Sequence, residues 1–142
     1  MIVGQEEAVE AFANAWTKRR LHHAWLLAGP RGVGKATFAR IAATRVLSEA
    51  AGPAIDLPGL ETPPDHPIAR LLAAGSHPDF RLLERLERPT GGLARNISVD
   101  QIRSLGDLLA VTPSMSPWRA IVIGAADYLE ASAANALLKV LE

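Results

Sequence analysis

The residues Gly29-Pro30-Arg31-Gly32-Val33-Gly34-Lys35-Ala36-Thr37 decide how the rest of the chain is read, because they match GxxxxGK[ST] at seven of its eight positions. In that pattern glycines let successive backbone N–H groups turn inward, the following helix adds partial positive charge, and the lysine reaches the outer phosphates of a nucleotide. The last position departs. A hydroxyl there would ligate Mg²⁺, and Ala36 has none. Thr37 carries one, but one step along a helix turns the side chain by about 100°, so it is a poor substitute. Gly29 through Thr37 are thus candidate nucleotide-binding residues for ATP or ADP held weakly, with no catalytic or metal-ligating residue among them.

On the N-terminal side, residues 21–28 (LHHAWLLA) run apolar into the loop, as a buried parallel strand does. The loop then sits at a strand's C-terminal end, where open α/β sheets bind ligand. His22 and His23 have no acid or nucleophile near them in sequence and are read as positional. On the C-terminal side, residues 35–50 are alanine-rich, with Phe38, Ile41, Ala42, Arg45, Val46 and Leu47 spaced for one buried helical face. Earlier, residues 6–20 repeat apolar side chains at three- and four-residue steps, with acids first and Lys18-Arg19-Arg20 last. That pattern predicts an amphipathic helix with a solvated basic end.

Further along, five prolines between Gly52 and Pro67 predict an irregular connection. A helix follows over 67–74, a turn over 75–79, and a second strand at Phe80-Arg81-Leu82-Leu83. Residues 84–96 mix glutamates, arginines and glycines and read as a mobile, solvated loop in which the glutamates argue against DNA contact. A helix then starts near Ile97, capped by Ser98 or Asp100, burying Ile102, Leu105, Leu108 and Leu109 and ending at Pro113. Residues 118–127 form the third candidate strand. In a phosphate-loop ATPase such a strand ends in an aspartate that orients Mg²⁺, beside a glutamate that activates water. Gly124 and Ala125 hold those positions, and Asp127 comes after the strand.

With 142 residues, 49% of them hydrophobic, the chain supports one core and one domain over 1–142. Fifteen basic and fifteen acidic residues cancel, so no global field holds it on nucleic acid or an anionic membrane. Having no cysteine, it forms no disulfide or thiolate metal site, and its four scattered histidines make no zinc set. No apolar run reaches about 18 residues, so a cytoplasmic protein is expected.

Residues 132–142 (SAANALLKVLE) resemble the helix after the second nucleotide motif in bacterial clamp-loader subunits. Gly4-Gln5, His23-Ala24-Trp25, the glycine loop, His77-Pro78-Asp79 and Val99-Asp100-Gln101-Ile102-Arg103 resemble that family too, in the same order. The resemblance implies an α/β, three-layer AAA+-like phosphate-loop fold: a parallel sheet flanked by helices, lacking its last strands because the chain ends at Glu142, with lid and collar domains absent. It also implies a place among other clamp-loader subunits, in a ring that opens the sliding clamp and loads it on primer-template DNA. Ala36, Gly124 and Ala125 are similar to the delta-prime type of DNA polymerase III subunit rather than to the ATP-hydrolysing motor. No arginine-finger residue carries over, and neither does the cysteine-bound zinc of many relatives. An interior strand missing after Glu142 would leave edges that close up or take backbone from another copy. Two readings follow: a non-hydrolysing loader subunit, or an active phosphate-loop ATPase using Thr37 and Asp127. A variant of the first leaves the loop empty, as a subunit contact.

Overall fold

The computed structural model describes residues 6–18 and 35–123, which form four helices and one two-stranded parallel sheet of α/β type. The elements are α1 (Glu6–Thr17), α2 (Lys35–Ala51), α3 (Pro67–Ala73), β1 (Phe80–Leu83), α4 (Val99–Leu109) and β2 (Ala120–Ile123). The predicted first strand at 21–28, Gly29 to Gly34, Gly124, Ala125, Asp127 and the helix expected at 132–142 lie outside the described residues. The chain divides into two compact units, one of residues up to 80 with 113–120, the other of 81–112 with 121 onward.

In the first unit α2 is the central element, because its buried residues point two ways. Phe38, Ala42 and Val46, four apart, meet Phe12 and Trp16 of α1 and Leu60. Leu47 meets Ile68 and Leu72 of α3 instead. The aromatic contacts are edge-on, Phe12 to Phe38 at 6.2 Å and Trp16 to Trp118 at 5.1 Å between ring centroids, an arrangement favoured by ring quadrupoles. The helix predicted over 6–20 stops at Thr17, and the Lys18 N–H closes its last turn on the Asn14 carbonyl. Lys18 therefore follows the helix rather than forming its basic last turn.

The proline-rich connection has no regular structure, as expected, yet it is held from inside. The buried Arg45 side chain donates to the Leu57 carbonyl (2.8 Å), the Glu61 carbonyl (2.6 Å) and Glu49 Oε1 (2.9 Å), and Glu49 also accepts from the Trp16 indole. Further on, His66 caps α3. Its Nδ1 accepts from the Ile68 N–H at 3.2 Å, so Nε2 carries the proton and donates to the Pro53 carbonyl at 2.9 Å. Pro67 follows at the first helical position, where its missing N–H costs nothing. Gly52 lets this happen: a Cβ there would lie 2.4 Å from His66 Cε1.

Ser48 is a local conflict in α2: it is fully buried and its hydroxyl has no hydrogen-bond partner. A desolvated, unpaired hydroxyl is a cost, and alanine is the better helix former. Ser48→Ala is expected to stabilise the protein by about 0.5–1 kcal/mol in urea titration. A loss of stability would show that the hydroxyl does form a bond.

The second unit packs α4 against its strands. Leu83, Ile97, Ile102 and Leu105 form its buried centre, with Val99, Ile121 and Ile123 around it. Ser98, rather than Asp100, caps α4, and Gln101 completes the capping box while donating to the Glu84 carbonyl at 2.8 Å. Helix α4 ends at Leu109 with Ala110 as its cap, short of Pro113. Two β-branched residues follow, Val111 and Thr112, and a residue before proline is pushed out of helical geometry. Leu108 is half-buried and Leu109 exposed, so the buried stripe stops at Leu105. Strand β2 begins at Ala120, later than expected, since the Trp118 N–H is turned to Ser116 Oγ at 3.1 Å.

The segment 84–96 departs most from expectation. It contains a short antiparallel ribbon with Glu87 opposite Leu93, closed by bonds from the Arg88 N–H to the Gly92 carbonyl (2.8 Å) and from the Ala94 N–H to the Leu86 carbonyl (2.6 Å). Its tip is a turn with Pro89 at the second position and a bond from the Gly91 N–H to the Arg88 carbonyl. Gly91 and Gly92 have φ of 97° and 73°, left-handed values that explain the glycine pair.

Candidate functional site

Of the nine candidate nucleotide-binding residues, Lys35, Ala36 and Thr37 fall within the described residues, in the first turn of α2. Lys35 is half-buried, whereas the Thr37 side chain is exposed. Gly29, Pro30, Arg31, Gly32, Val33 and Gly34 precede the described part of α2. A helix starting directly after the glycine loop is the order that the motif requires.

Sequence reading noted His77-Pro78-Asp79 and gave it no role. The structure makes it a heavily bonded point among the described residues of the first unit. Asp79 is 1% exposed. Its Oδ1 accepts from the Ser114 N–H at 2.8 Å, and Oδ2 from the Met115 N–H at 2.9 Å, with Ser114 also 3.0 Å from Oδ2. The Asp79 N–H donates to His77 Nδ1 at 3.0 Å, and its carbonyl accepts from the Ala120 N–H at 2.9 Å. Every polar group of this residue is engaged, and its carbonyl bond from the Ala120 N–H sets the start of β2.

The electrostatics follow from these bonds. Burial pushes the Asp79 carboxyl up, but the two backbone N–H groups and the nearby charges of His77 and Arg119 outweigh it, so it titrates below the usual aspartate range. Burial pushes His77 below the usual imidazole range, against the smaller pull of the Asp79 charge. His77 therefore stays neutral near pH 7, with its proton on Nε2, a buried atom without a partner. Neither side chain is placed as a general base, since Asp79 is saturated and His77 faces the turn.

A shallow depression between α2 and α3, lined by Arg40, Thr44, Ala69, Leu72, Ala73 and Phe80, offers one cation and one hydroxyl, too little for catalysis. Among the described residues no cluster of three or more His, Asp or Glu side chains forms a metal site. No described helix is long and apolar enough to cross a membrane.

The sequence as a whole now supplies the class. The chain belongs to the family described as "DNA polymerase III, delta subunit", whose profile matches residues 4–142. It is similar to DNA polymerase III subunit gamma of Buchnera aphidicola subsp. Schizaphis graminum (strain Sg), 33% identical over 143 residues, covering 99% of this chain and 35% of that protein. It is also similar to subunit tau of Bacillus subtilis (strain 168), 32% identical over 141 residues, covering 99% of this chain and 23% of that protein. Subunit delta' of Pseudomonas aeruginosa PAO1 is 35% identical over 125 residues, 84% of this chain and 33% of that protein. The chain thus spans about a third or less of these curated relatives, and gamma, tau and delta' stand at similar identity.

Proposed function

We propose that this chain is a non-hydrolysing, delta-prime-like part of a DNA polymerase III clamp loader, which works with other loader subunits to place the sliding clamp on primer-template DNA. Its fold in this reading is the three-layer AAA+-like one, and it acts within the polymerase holoenzyme without turnover of its own. The observation that carries the proposal is Ala36 directly after Lys35, reinforced by Gly124 and Ala125 where the metal-orienting and water-activating acids belong. Backbone N–H groups of the glycine loop and Lys35 remain able to hold phosphate, so weak ATP or ADP binding without hydrolysis is the expected behaviour.

A second reading is an active phosphate-loop ATPase. It would need the Thr37 hydroxyl, which is exposed one residue past the ligand position, and Asp127, past the strand end. Loss of a general base alone lowers rates about 10²–10⁴-fold, and here the metal ligands are missing too. Mg²⁺-dependent ATP turnover is therefore expected at background, and Ala36→Thr alone should not raise it. Turnover that disappears in Lys35→Ala would establish the ATPase instead. Co-purification of the full-length protein with the other loader subunits tests the assembly, and calorimetry with ATP separates a weakly loaded loop from an empty one.

A further inference from the structure

The ribbon at residues 86–94 carries the inference. Strand alternation puts Leu86 and Arg88 on one face, opposite Ala94 and Gly92 on the partner strand, while Glu87 and Leu93 share the other face. The cross-strand neighbours of Leu86 are too small to cover it, and it stays 59% exposed. Arg88 beside it is exposed and makes no ion pair among the described residues, and Glu87 cannot neutralise it from the opposite face. Glu87, the one glutamate within the ribbon, therefore lies on the other face.

The backbone adds a third element. Glu87 and Leu93 are a non-hydrogen-bonded pair, since the bonds run between 94 and 86 and between 88 and 92. The N–H and C=O of Glu87 consequently point out along the free edge, with no hydrogen bond among the described residues. An open edge, a leucine over small neighbours and an uncompensated arginine two residues on make a site for one kind of occupant.

We infer that the 86–88 edge binds an extended segment of a partner protein that pairs with Glu87, lays an apolar side chain on Leu86, and sets a carboxylate two residues along against Arg88. Nucleic acid fits less well. The face centres on a leucine, an apolar contact that a phosphate backbone does not reward, and it offers a single arginine.

The test uses the full chain and a fluorescein-labelled peptide of alternating leucine and aspartate, read by anisotropy. Saturable binding is expected, weakened at least tenfold by Leu86→Asp and by Arg88→Glu. A leucine–lysine peptide should bind the Arg88→Glu protein better than the unaltered one. Both positions are exposed, so thermal melts should be unchanged and a loss of binding cannot be misfolding. No saturable binding, or binding indifferent to both substitutions, overturns the inference. So does a single-stranded oligonucleotide that binds through Arg88 without needing Leu86.

Discussion

Asp79→Asn is expected to destabilise the protein by about 3 kcal/mol at pH 7. Asparagine fits the space, but its one acceptor oxygen can serve Ser114 or Met115, and its amide group then faces the other N–H. A hydrogen bond to a charged group contributes about 1.5–3 kcal/mol, and a buried donor left facing another donor adds a desolvation cost of about 1–3 kcal/mol. Urea titration at pH 7 measures the difference, and a change below about 1 kcal/mol would show that the carboxylate is not the tie that the geometry makes it.

The same residue predicts a pH dependence whose sign is fixed. The folded Asp79 titrates below its ordinary range, so its contribution is full above the unfolded value and is lost as pH falls through the folded one. The gap between the unaltered protein and Asp79→Asn should therefore close in strong acid. His77 acts in the same direction at higher pH. Its folded value is also lowered, so unfolding takes up a proton as pH drops below the ordinary imidazole range, and stability declines there first. In His77→Asn, whose side-chain oxygen can still accept the Asp79 N–H two residues on, that first decline should disappear while the second remains.

Arg45→Ala should cost a similar amount, about 3–4 kcal/mol, for a different reason. The guanidinium satisfies two carbonyls of the proline-rich connection and the Glu49 carboxylate, all from one buried fork. Truncation leaves those acceptors unpaired, and removing one partner of a buried pair costs about 3–5 kcal/mol. Partial exposure of Glu49 keeps the value toward the lower end. Arg45→Lys should recover less than half, because one ammonium cannot reach three acceptors set by a planar fork. Faster proteolysis within 52–66 is the second readout. Unchanged cleavage together with unchanged stability would remove Arg45 from this role.

Local pattern made α2 readable almost to its last residue and located α3, α4 and β1, because apolar periodicity, Pro67 and the Ser98–Gln101 box act over a few residues. The interior ties were not readable. Asp79 reaches Ser114 across 35 positions and Arg45 reaches Leu57 and Glu61 across 12 and 16, distances at which nothing in the sequence marks the pairing. Arg45 was assigned correctly to a buried face, while its bonds to main-chain carbonyls leave no compositional trace. The ribbon was hidden for the opposite reason, since its mixed charges resemble solvated loop and only the pairing of Glu87 with Leu93 shows a strand there. At the candidate phosphate loop the informative letters, Ala36, Gly124 and Ala125, are read from sequence alone.

Asp79 and Ser114 mark where the chain departs toward β1 and where it comes back, and the carboxylate staples departure to return. The exposed turn at residues 89–91 can therefore be lengthened or exchanged while the first unit keeps both of its attachment points in register, whereas Leu83, Ile97, Ile102 and Leu105 stay fixed as a buried centre. What that exposed turn presents to solvent can vary while the Asp79 tie itself stays untouched.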